Sequence, residues 1–122
     1  MDLHLIPGAA ASDAEREAVD RAIDGVHERH MLLPALHAAQ ARAGFISEGA
    51  LNHICTSLQV PPAEAYGVAS FYAMFALKPR PMRVVHVCDD IACKTRGAEA
   101  ICRSLTERVG AAGEPAAGGA AT

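Results

Sequence analysis

The stretch that decides the fold is VPPAEAYGVASFY, residues 60–72. Pro61 and Pro62 end one helix and start the next, because proline lacks an N–H yet is preset for the first helical positions. Most of the chain's aromatic residues follow within a short distance, and the predicted helix carries Val68, Phe71, Tyr72 and Phe75. The stretch therefore predicts two successive helices that meet at the proline pair.

Three helices are predicted upstream of this stretch, including the one that ends at the prolines. The first begins after Ser12 and runs to about His27, and the second covers residues 31–43. The third begins after Ser47, and its apolar residues are spaced at i, i+3, i+4 and i+7 on the face formed by Leu51, Ile54, Cys55 and Leu58. Residues 13–77 are therefore predicted to form an N-terminal four-helix bundle.

A stiff linker, KPRP at residues 78–81, precedes a region with a different periodicity. Residues 83–87 are rich in valine and predict a strand. A loop that contains Cys88 and Cys93 follows, and a fifth helix is predicted over residues 95–109. The alternation of strand and helix places this second region in the α/β class.

The two ends of the chain differ from the rest in composition. Residues 1–12 are predicted to be a frayed lead-in. Residues 110–122 are rich in glycine and alanine and have no large apolar side chain to bury, which predicts a flexible linker or tail. From such a tail we expect a truncated or fused sequence that continues beyond Thr122.

Composition excludes several classes of function. The net charge is only -3 and the 11 Lys and Arg residues are scattered, which argues against a nucleic-acid partner. No apolar run approaches the ~20 residues of a membrane-spanning helix, so direct membrane insertion is not expected. The first residues lack the basic and apolar regions of a secretory signal. We therefore expect a cytoplasmic, reducing location, in which the four cysteines do not form a disulfide framework.

The cysteine pair, spaced C-x4-C, is the strongest candidate for a cofactor site. Thiolates are the preferred ligands of iron–sulfur clusters and good ligands of zinc. A [2Fe–2S] cluster needs four protein ligands, however, and Cys88 and Cys93 supply two. A zinc site that recruits His86 also lacks a fourth ligand. The spacing alone leaves three interpretations open: a cluster site, a zinc site or two ordinary thiols.

Charged residues flank the pair and would act on a bound anion in opposite directions. Lys94, Arg96 and the N-terminus of the helix predicted from Thr95 should stabilise an anionic cluster. Asp89 and Asp90 should disfavour its more negative, reduced state.

The remaining candidates favour structural roles. Cys55 and Cys102 lie on apolar helix faces, where free cysteine behaves as a small buried hydrophobe. The chain has no phosphate-binding loop and no dinucleotide fingerprint. We therefore expect no complete catalytic site on this chain.

In order along the chain, these features resemble those of one known family, the small thioredoxin-like [2Fe–2S] subunit of the NADH dehydrogenase module of respiratory complex I. Similar subunits occur in NAD-dependent formate dehydrogenases and NAD-reducing hydrogenases. The resemblance rests on LPALH at 33–37 with Gln40, GFIS at 44–47, the whole of 60–72, VC at 87–88, Cys93 and RGA at 96–98.

The resemblance implies a helical bundle followed by a thioredoxin-like domain, of which residues 82–109 would be the first strand and helix. Cys88 and Cys93 would be the first two ligands of a [2Fe–2S] cluster. In the family a second pair, spaced C-x3-C, comes from a later loop that this sequence lacks. The cluster would exchange electrons with a flavin on a partner subunit, which would carry FMN and NAD and oxidise NADH.

The missing pair leaves alternatives to a bound cluster. We expect little or no bound [2Fe–2S] if these 122 residues are the whole protein. The chain could instead be a cofactor-free docking module for the flavoprotein partner. Two copies could also share one cluster by twofold symmetry. In each case the expected place is the cytoplasm, or the inner face of the cell membrane through the parent complex.

Overall fold

The computed structural model describes residues 7–81 and 83–114. The chain divides after Pro79 into two compact units. The unit up to Pro79 is called the N-terminal unit below, and the unit from Arg80 onward is called the C-terminal unit.

Four α-helices form the N-terminal unit, and all four predicted helices are present. In chain order, they are α1 (Asp13–Ile23), α2 (Leu32–Ala43), α3 (Glu48–Leu58) and α4 (Pro62–Phe71). A single 3-10 turn, Arg29–Met31, precedes α2. Pro62 occupies the first turn of α4, where its missing N–H costs no helical hydrogen bond.

One carboxylate joins the starts of α1 and α3. Ser12 and Glu15 form a reciprocal capping box at the start of α1. The Ser47 hydroxyl accepts from the Ala50 N–H at 3.0 Å and donates to Glu15 Oε1 at 2.7 Å. Burial opposes ionisation of Glu15, but the Ser12 N–H and the Ser47 and Ser12 hydroxyls outweigh it and lower the pKa of Glu15.

The core of the N-terminal unit is aliphatic, with contributions from all four helices. Its largest fully buried side chains are Ile23, Leu36, Ile46, Ile54, Val19, Val60 and Cys55. Ala35, Ala39, Ala50, Ala65 and Ala69 are also buried. The many alanines therefore supply small residues to the packed faces of the helices.

Two predicted helix boundaries differ from the structure because of local backbone geometry. α1 ends at Ile23, four residues early, because Asp24 adopts a left-handed conformation with φ of 46° and caps the helix. Phe75 was predicted to lie on the fourth helix but follows its end. Its ring packs against His37, with ring centroids 4.9 Å apart.

The segment that follows α4 is held by one side chain of α2. The Gln40 amide donates to the Met74 carbonyl at 2.7 Å and accepts from the Ala76 N–H at 2.6 Å. The Ala76 carbonyl accepts a further bond from the Ile46 N–H at 2.7 Å. These bonds fix the path of the chain beyond the aromatic cluster.

The lead-in, predicted to be frayed, is docked on α3 where the structure describes it. Gly49 lies so close to it that a Cβ would come within 2.3 Å of the Ala10 backbone. Asn52 Nδ2 donates to the Ala9 carbonyl at 3.1 Å, and Ala11 is buried. The missing side chain of Gly49 therefore permits a contact that composition did not reveal, and residues 1–6 lie outside the described residues.

In its described residues, the C-terminal unit contains two helices, α5 (Ile91–Lys94) and α6 (Ala98–Val109). The helix predicted over residues 95–109 begins only at Ala98, because Gly97 adopts a left-handed conformation with φ of 97° just before it. The short helix α5 lies in the segment that was predicted to be a loop. Cys93 lies in α5 and not in a loop.

The strand predicted over residues 83–87 is not found in the described part of the chain, so the α/β class is supported there only by its helices. A strand requires a neighbour that pairs with its backbone groups. Within the described ranges, residues 83–89 make no backbone hydrogen bond to another segment.

Apolar burial in the C-terminal unit is slight. Ala98 is its one buried apolar residue among those described, whereas Ile101 on the same helix is 54% exposed. Residues 110–114 form a turn after α6, and residues 115–122 lie outside the described residues, as does most of the predicted linker.

Candidate thiolate site

Cys88 and Cys93 line one open cleft of about 430 Å³ in the C-terminal unit. We call it the thiol cleft, and its other lining residues are His86, Val87, Ala92, Arg96, Ala98 and Ile101. Cys88 is exposed and Cys93 is partly exposed. The two predicted site residues are therefore brought together at the surface.

A capped turn connects the two cysteines. The Asp90 carboxylate accepts from the Ile91 N–H at 2.7 Å and so begins α5. The Lys94 N–H then donates to the Asp90 carbonyl at 2.8 Å, and the Arg96 N–H donates to the Cys93 carbonyl at 3.0 Å. These local bonds hold Cys93 within a single helical turn beside the extended segment that carries Cys88.

The two thiols, which line the same cleft, influence each other's ionisation. A hydrogen bond with the Cys88 thiol raises the pKa of Cys93, and electrostatic interaction with Cys88 and slight desolvation act in the same direction. Two sulfurs this close disfavour a second negative charge unless a cation joins them. The pair is therefore arranged for a cation or for a bond between the sulfurs.

The predicted flanking charges do not all reach the cleft. Arg96 lines it, and so does Ala98, the first residue of α6, whose N-terminus adds positive potential. Lys94 is not among the lining residues. The Asp90 carboxylate is engaged in capping Ile91, and Asp89 lines a different cavity. Among the residues that line the cleft, Arg96 therefore supplies a positive charge, and no Asp or Glu is present.

The other two cysteines are separate from the pair. Cys55 is fully buried in the N-terminal unit, as predicted, and burial raises its pKa to about 11. Cys102 is only partly buried, and it lines a second cavity of about 240 Å³ in the C-terminal unit.

Sequence reasoning did not identify this second cavity. Its lining includes Val85, Val87, Leu105 and Val109, so it is mainly apolar. The available signal was the i, i+2 spacing of the two valines, which puts their side chains on one side of an extended segment. The apolar face predicted for the fifth helix supplies Leu105 and Val109.

The donor set fits half of a [2Fe–2S] site. Cys88 and Cys93 are thiolate donors of the right chemistry, but a cluster takes four protein ligands. Among the residues that the structure describes, no group of three or more His, Cys, Asp and Glu side chains could hold a metal ion. His86 lines the cleft, but it does not complete the zinc site considered above.

The fold and the site together define a class of protein. A four-helix unit is followed by a unit whose main chemical feature is a pair of thiols in one open cleft that Arg96 also lines. This arrangement is typical of proteins that bind a metal or an iron–sulfur centre through thiolates.

Comparison with known proteins gives the family. The sequence model of the thioredoxin-like [2Fe–2S] ferredoxin family matches residues 17–122, and the chain belongs to this family. The resemblance inferred from residues 60–72 and from the cysteine pair is thereby confirmed.

Named relatives agree with the family match, and all three are the same subunit of NADH-quinone oxidoreductase. The chain is 29% identical over 99 residues to the protein from Escherichia coli K12, in an alignment that covers 80% of this chain and 60% of the relative. It is 34% identical over 84 residues to the protein from Rickettsia bellii, in an alignment that covers 68% of this chain and 50% of the relative. It is 30% identical over 105 residues to the protein from Salmonella typhimurium, with 80% of this chain and 60% of the relative covered.

These relatives are longer than the matched region. The chain spans 60% of the Escherichia coli protein and 50% of the Rickettsia protein. None of the helices in the described ranges has the length and hydropathy that crossing a lipid bilayer requires.

Proposed function

We propose that this chain is part of an electron-transfer subunit of an NADH:quinone oxidoreductase-type NADH dehydrogenase. A [2Fe–2S] cluster in the complete domain would exchange electrons with a flavin on a partner subunit that oxidises NADH. The observation that carries the proposal is that Cys88 and Cys93 line one open cleft, within the segment that the family match covers.

Cys88 and Cys93 would supply two of the four thiolates that hold the cluster. When bound, the cluster supplies one-electron chemistry, and the protein positions it and tunes its reduction potential. Arg96 and the first residue of α6 line the cleft, so their positive potential would stabilise an anionic cluster. The same positive potential would raise the reduction potential by stabilising the more negative, reduced state.

FMN and NAD belong to the partner in this proposal, since this chain shows no nucleotide-binding fingerprint in its sequence. We propose a cytoplasmic location, with attachment to the inner face of the membrane only through the complex. All four cysteines are free thiols, which suits a reducing compartment.

One observation favours the second candidate function, a docking module without a cofactor. Tyr66, Phe71 and Met74 expose 55%, 79% and 48% of their surface in or just after α4. Exposed apolar residues grouped in this way are typical of surfaces that contact another protein. We therefore propose that this part of the bundle contacts the flavoprotein partner, whether or not a cluster is bound.

The two candidates are separated by removing the thiols. The complete subunit, with the second cysteine pair that the proposal requires, would be purified anaerobically together with its flavoprotein partner. Iron, acid-labile sulfide and flavin would be measured in the complex. We expect C88S and C93S to lose iron and NADH-dependent bleaching of the visible absorption while the flavin still co-purifies. C102S is the matched control, because Cys102 lies outside the thiol cleft, and should retain both signals.

One result would overturn the electron-transfer proposal, and another would overturn the assignment of its ligands. Electron transfer and partner binding that are both unchanged in C88S and C93S would favour the docking module. Anaerobic reconstitution of the 122-residue chain should give little stable [2Fe–2S] absorption. A stoichiometric cluster in a monomer would contradict the assignment of the pair as half of a four-thiolate site.

A further inference from the structure

The position of the two thiols in one cleft permits a reaction that does not involve iron. Cys88 and Cys93 are only five positions apart and both line the thiol cleft, where their side chains interact. α5 is begun by the Asp90 cap and holds Cys93 in place. Forming a bond between the two sulfurs would close a very short loop, which costs little chain entropy.

The pair is also the accessible one. Cys88 is exposed and Cys93 is partly exposed, whereas Cys55 is fully buried and Cys102 lies in the second cavity. A small oxidant in solution can therefore reach Cys88 first and find Cys93 already beside it. Neither Cys55 nor Cys102 has such a neighbour among the described residues.

We propose that Cys88 and Cys93 form a reversible intramolecular disulfide, with a low-molecular-weight disulfide such as glutathione disulfide as the oxidant. This redox switch is a property of the chain itself and does not require a bound cluster.

The exchange proceeds in two balanced steps. The deprotonated Cys88 sulfur attacks one sulfur of glutathione disulfide, which forms a mixed disulfide and releases one glutathione thiolate. The Cys93 sulfur then attacks the Cys88 sulfur, which forms the Sγ–Sγ bond and releases the second glutathione. Two electrons pass to the oxidant, and the two thiol protons end on the two glutathione molecules.

The oxidised pair cannot bind iron, because a disulfide sulfur is no longer a thiolate. This consequence rests on the proposed function, since it matters only if the pair serves as ligands. Oxidation and cluster assembly would then compete for the same two sulfur atoms.

The sequence makes the experiment direct, because trypsin separates the thiols that must be compared. Cleavage after Arg83 and Lys94 gives peptide 84–94, which contains both Cys88 and Cys93. Cys55 falls in peptide 43–83, and Cys102 falls in peptide 97–103. Mass spectrometry of the digest therefore assigns each thiol without further mutation.

The iron-free, reduced chain would be titrated with glutathione disulfide, blocked with iodoacetamide and digested. We expect peptide 84–94 to resist alkylation and to be lighter by two hydrogen atoms, with full reversal by dithiothreitol. Half-conversion should need at least about tenfold less oxidant than modification of Cys102, because the second thiol acts at a high effective concentration. C93S should stop at the glutathione adduct on Cys88, and C102S should behave like the unsubstituted chain.

Peptide 84–94 that carries two glutathione groups or two alkyl groups would overturn the proposal, as would modification of Cys102 at an equal oxidant concentration. Cysteine-dependent iron binding together with such a result would leave the proposed function intact. Equal iron binding by the oxidised and reduced chains would overturn the competition between oxidation and cluster assembly.

Discussion

The N-terminal and C-terminal units use helices of similar length in different ways. α2 and α6 each have 12 residues. Leu32, Ala35, Leu36 and Ala39 of α2 are buried, whereas only Ala98 of α6 is buried. Helix length is therefore equal, while the apolar area removed from water differs greatly.

This difference shows where the stability of the chain lies. Burial of apolar surface is the main favourable contribution to folding, and the described residues bury most of it in the N-terminal unit. The C-terminal unit instead exposes its cysteine pair and much of the apolar surface of α6. The N-terminal unit therefore contributes most of the stability, and the C-terminal unit carries the candidate site.

The largest expected effect compares one leucine from each unit. Leu36→Ala removes a fully buried side chain and should lower the free energy of unfolding by about 2–5 kcal/mol. Leu105→Ala alters a partly exposed residue of α6 and should change the free energy of unfolding by less than about 0.5 kcal/mol. Urea denaturation followed by far-ultraviolet circular dichroism measures both values, and equal losses would show that the comparison is wrong.

The second effect concerns alkaline pH and the buried thiol. Burial raises the pKa of Cys55 from 9.0 to about 11, so this thiol ionises at a lower pH in the unfolded chain than in the folded one. The free energy of unfolding should therefore fall as the pH rises through this range. The fall attributable to Cys55 is at most about 2–3 kcal/mol.

Cys55→Ala should have a flatter pH dependence over the same range, although its stability at neutral pH is lower. Cys102→Ala is the matched control from the other unit and should keep the slope of the original chain. If the free energy of unfolding changed with pH at the same rate in all three proteins, ionisation of Cys55 would not explain the loss of stability at alkaline pH.

The third effect tests the docked lead-in with two glycines. Gly49→Ala places a Cβ 2.3 Å from the Ala10 backbone and should cost about 1–3 kcal/mol through overpacking. Gly67→Ala meets no atom within 4 Å and should stabilise α4 by up to about 1 kcal/mol. Thermal unfolding of the two variants should therefore shift in opposite directions, and a neutral Gly49→Ala would contradict the docking of residues 9–11.

The smallest effect concerns the capping box. Ser12→Ala should cost about 1 kcal/mol at neutral pH, whereas Ser104→Ala on the exposed surface of α6 should change little. Because the folded-state pKa of Glu15 is lowered, its stabilisation is present above about pH 4.5 and is lost as pH falls through the folded pKa. The difference in free energy of unfolding between Ser12→Ala and the original chain should become smaller in acid. A difference that does not change with pH would show that the Glu15 carboxylate does not contribute to it.

Sequence reasoning predicted the elements whose signals are local. Ser12 and Ser47 cap helices where expected, and the proline pair separates α3 from α4. The start of the last helix was predicted three residues early, because glycine in a first turn is tolerated and the left-handed φ of Gly97 depends on the preceding turn. The docking of the lead-in on Gly49 depends on residues far apart in sequence, so no local pattern could reveal it.

The candidate site was predictable to a similar extent. The spacing of Cys88 and Cys93 identified the pair, but only the structure shows that both line one open cleft. The positions of the flanking charged side chains also had to come from the structure. Composition does not show that Arg96 lines the cleft while the Asp90 carboxylate caps α5. Whether a side chain acts on a site depends on its direction, which C-x4-C spacing does not encode.

The double hydrogen bond of Gln40 has a consequence for how this position tolerates mutation. Its amide must donate to Met74 and accept from Ala76 at once. Glutamate would present an acceptor to a carbonyl, methionine would offer neither bond, and asparagine is one methylene too short. A saturation library at this position that is selected for stable folding should therefore favour glutamine, so that a residue outside the candidate site becomes a diagnostic position for recognising members of this fold.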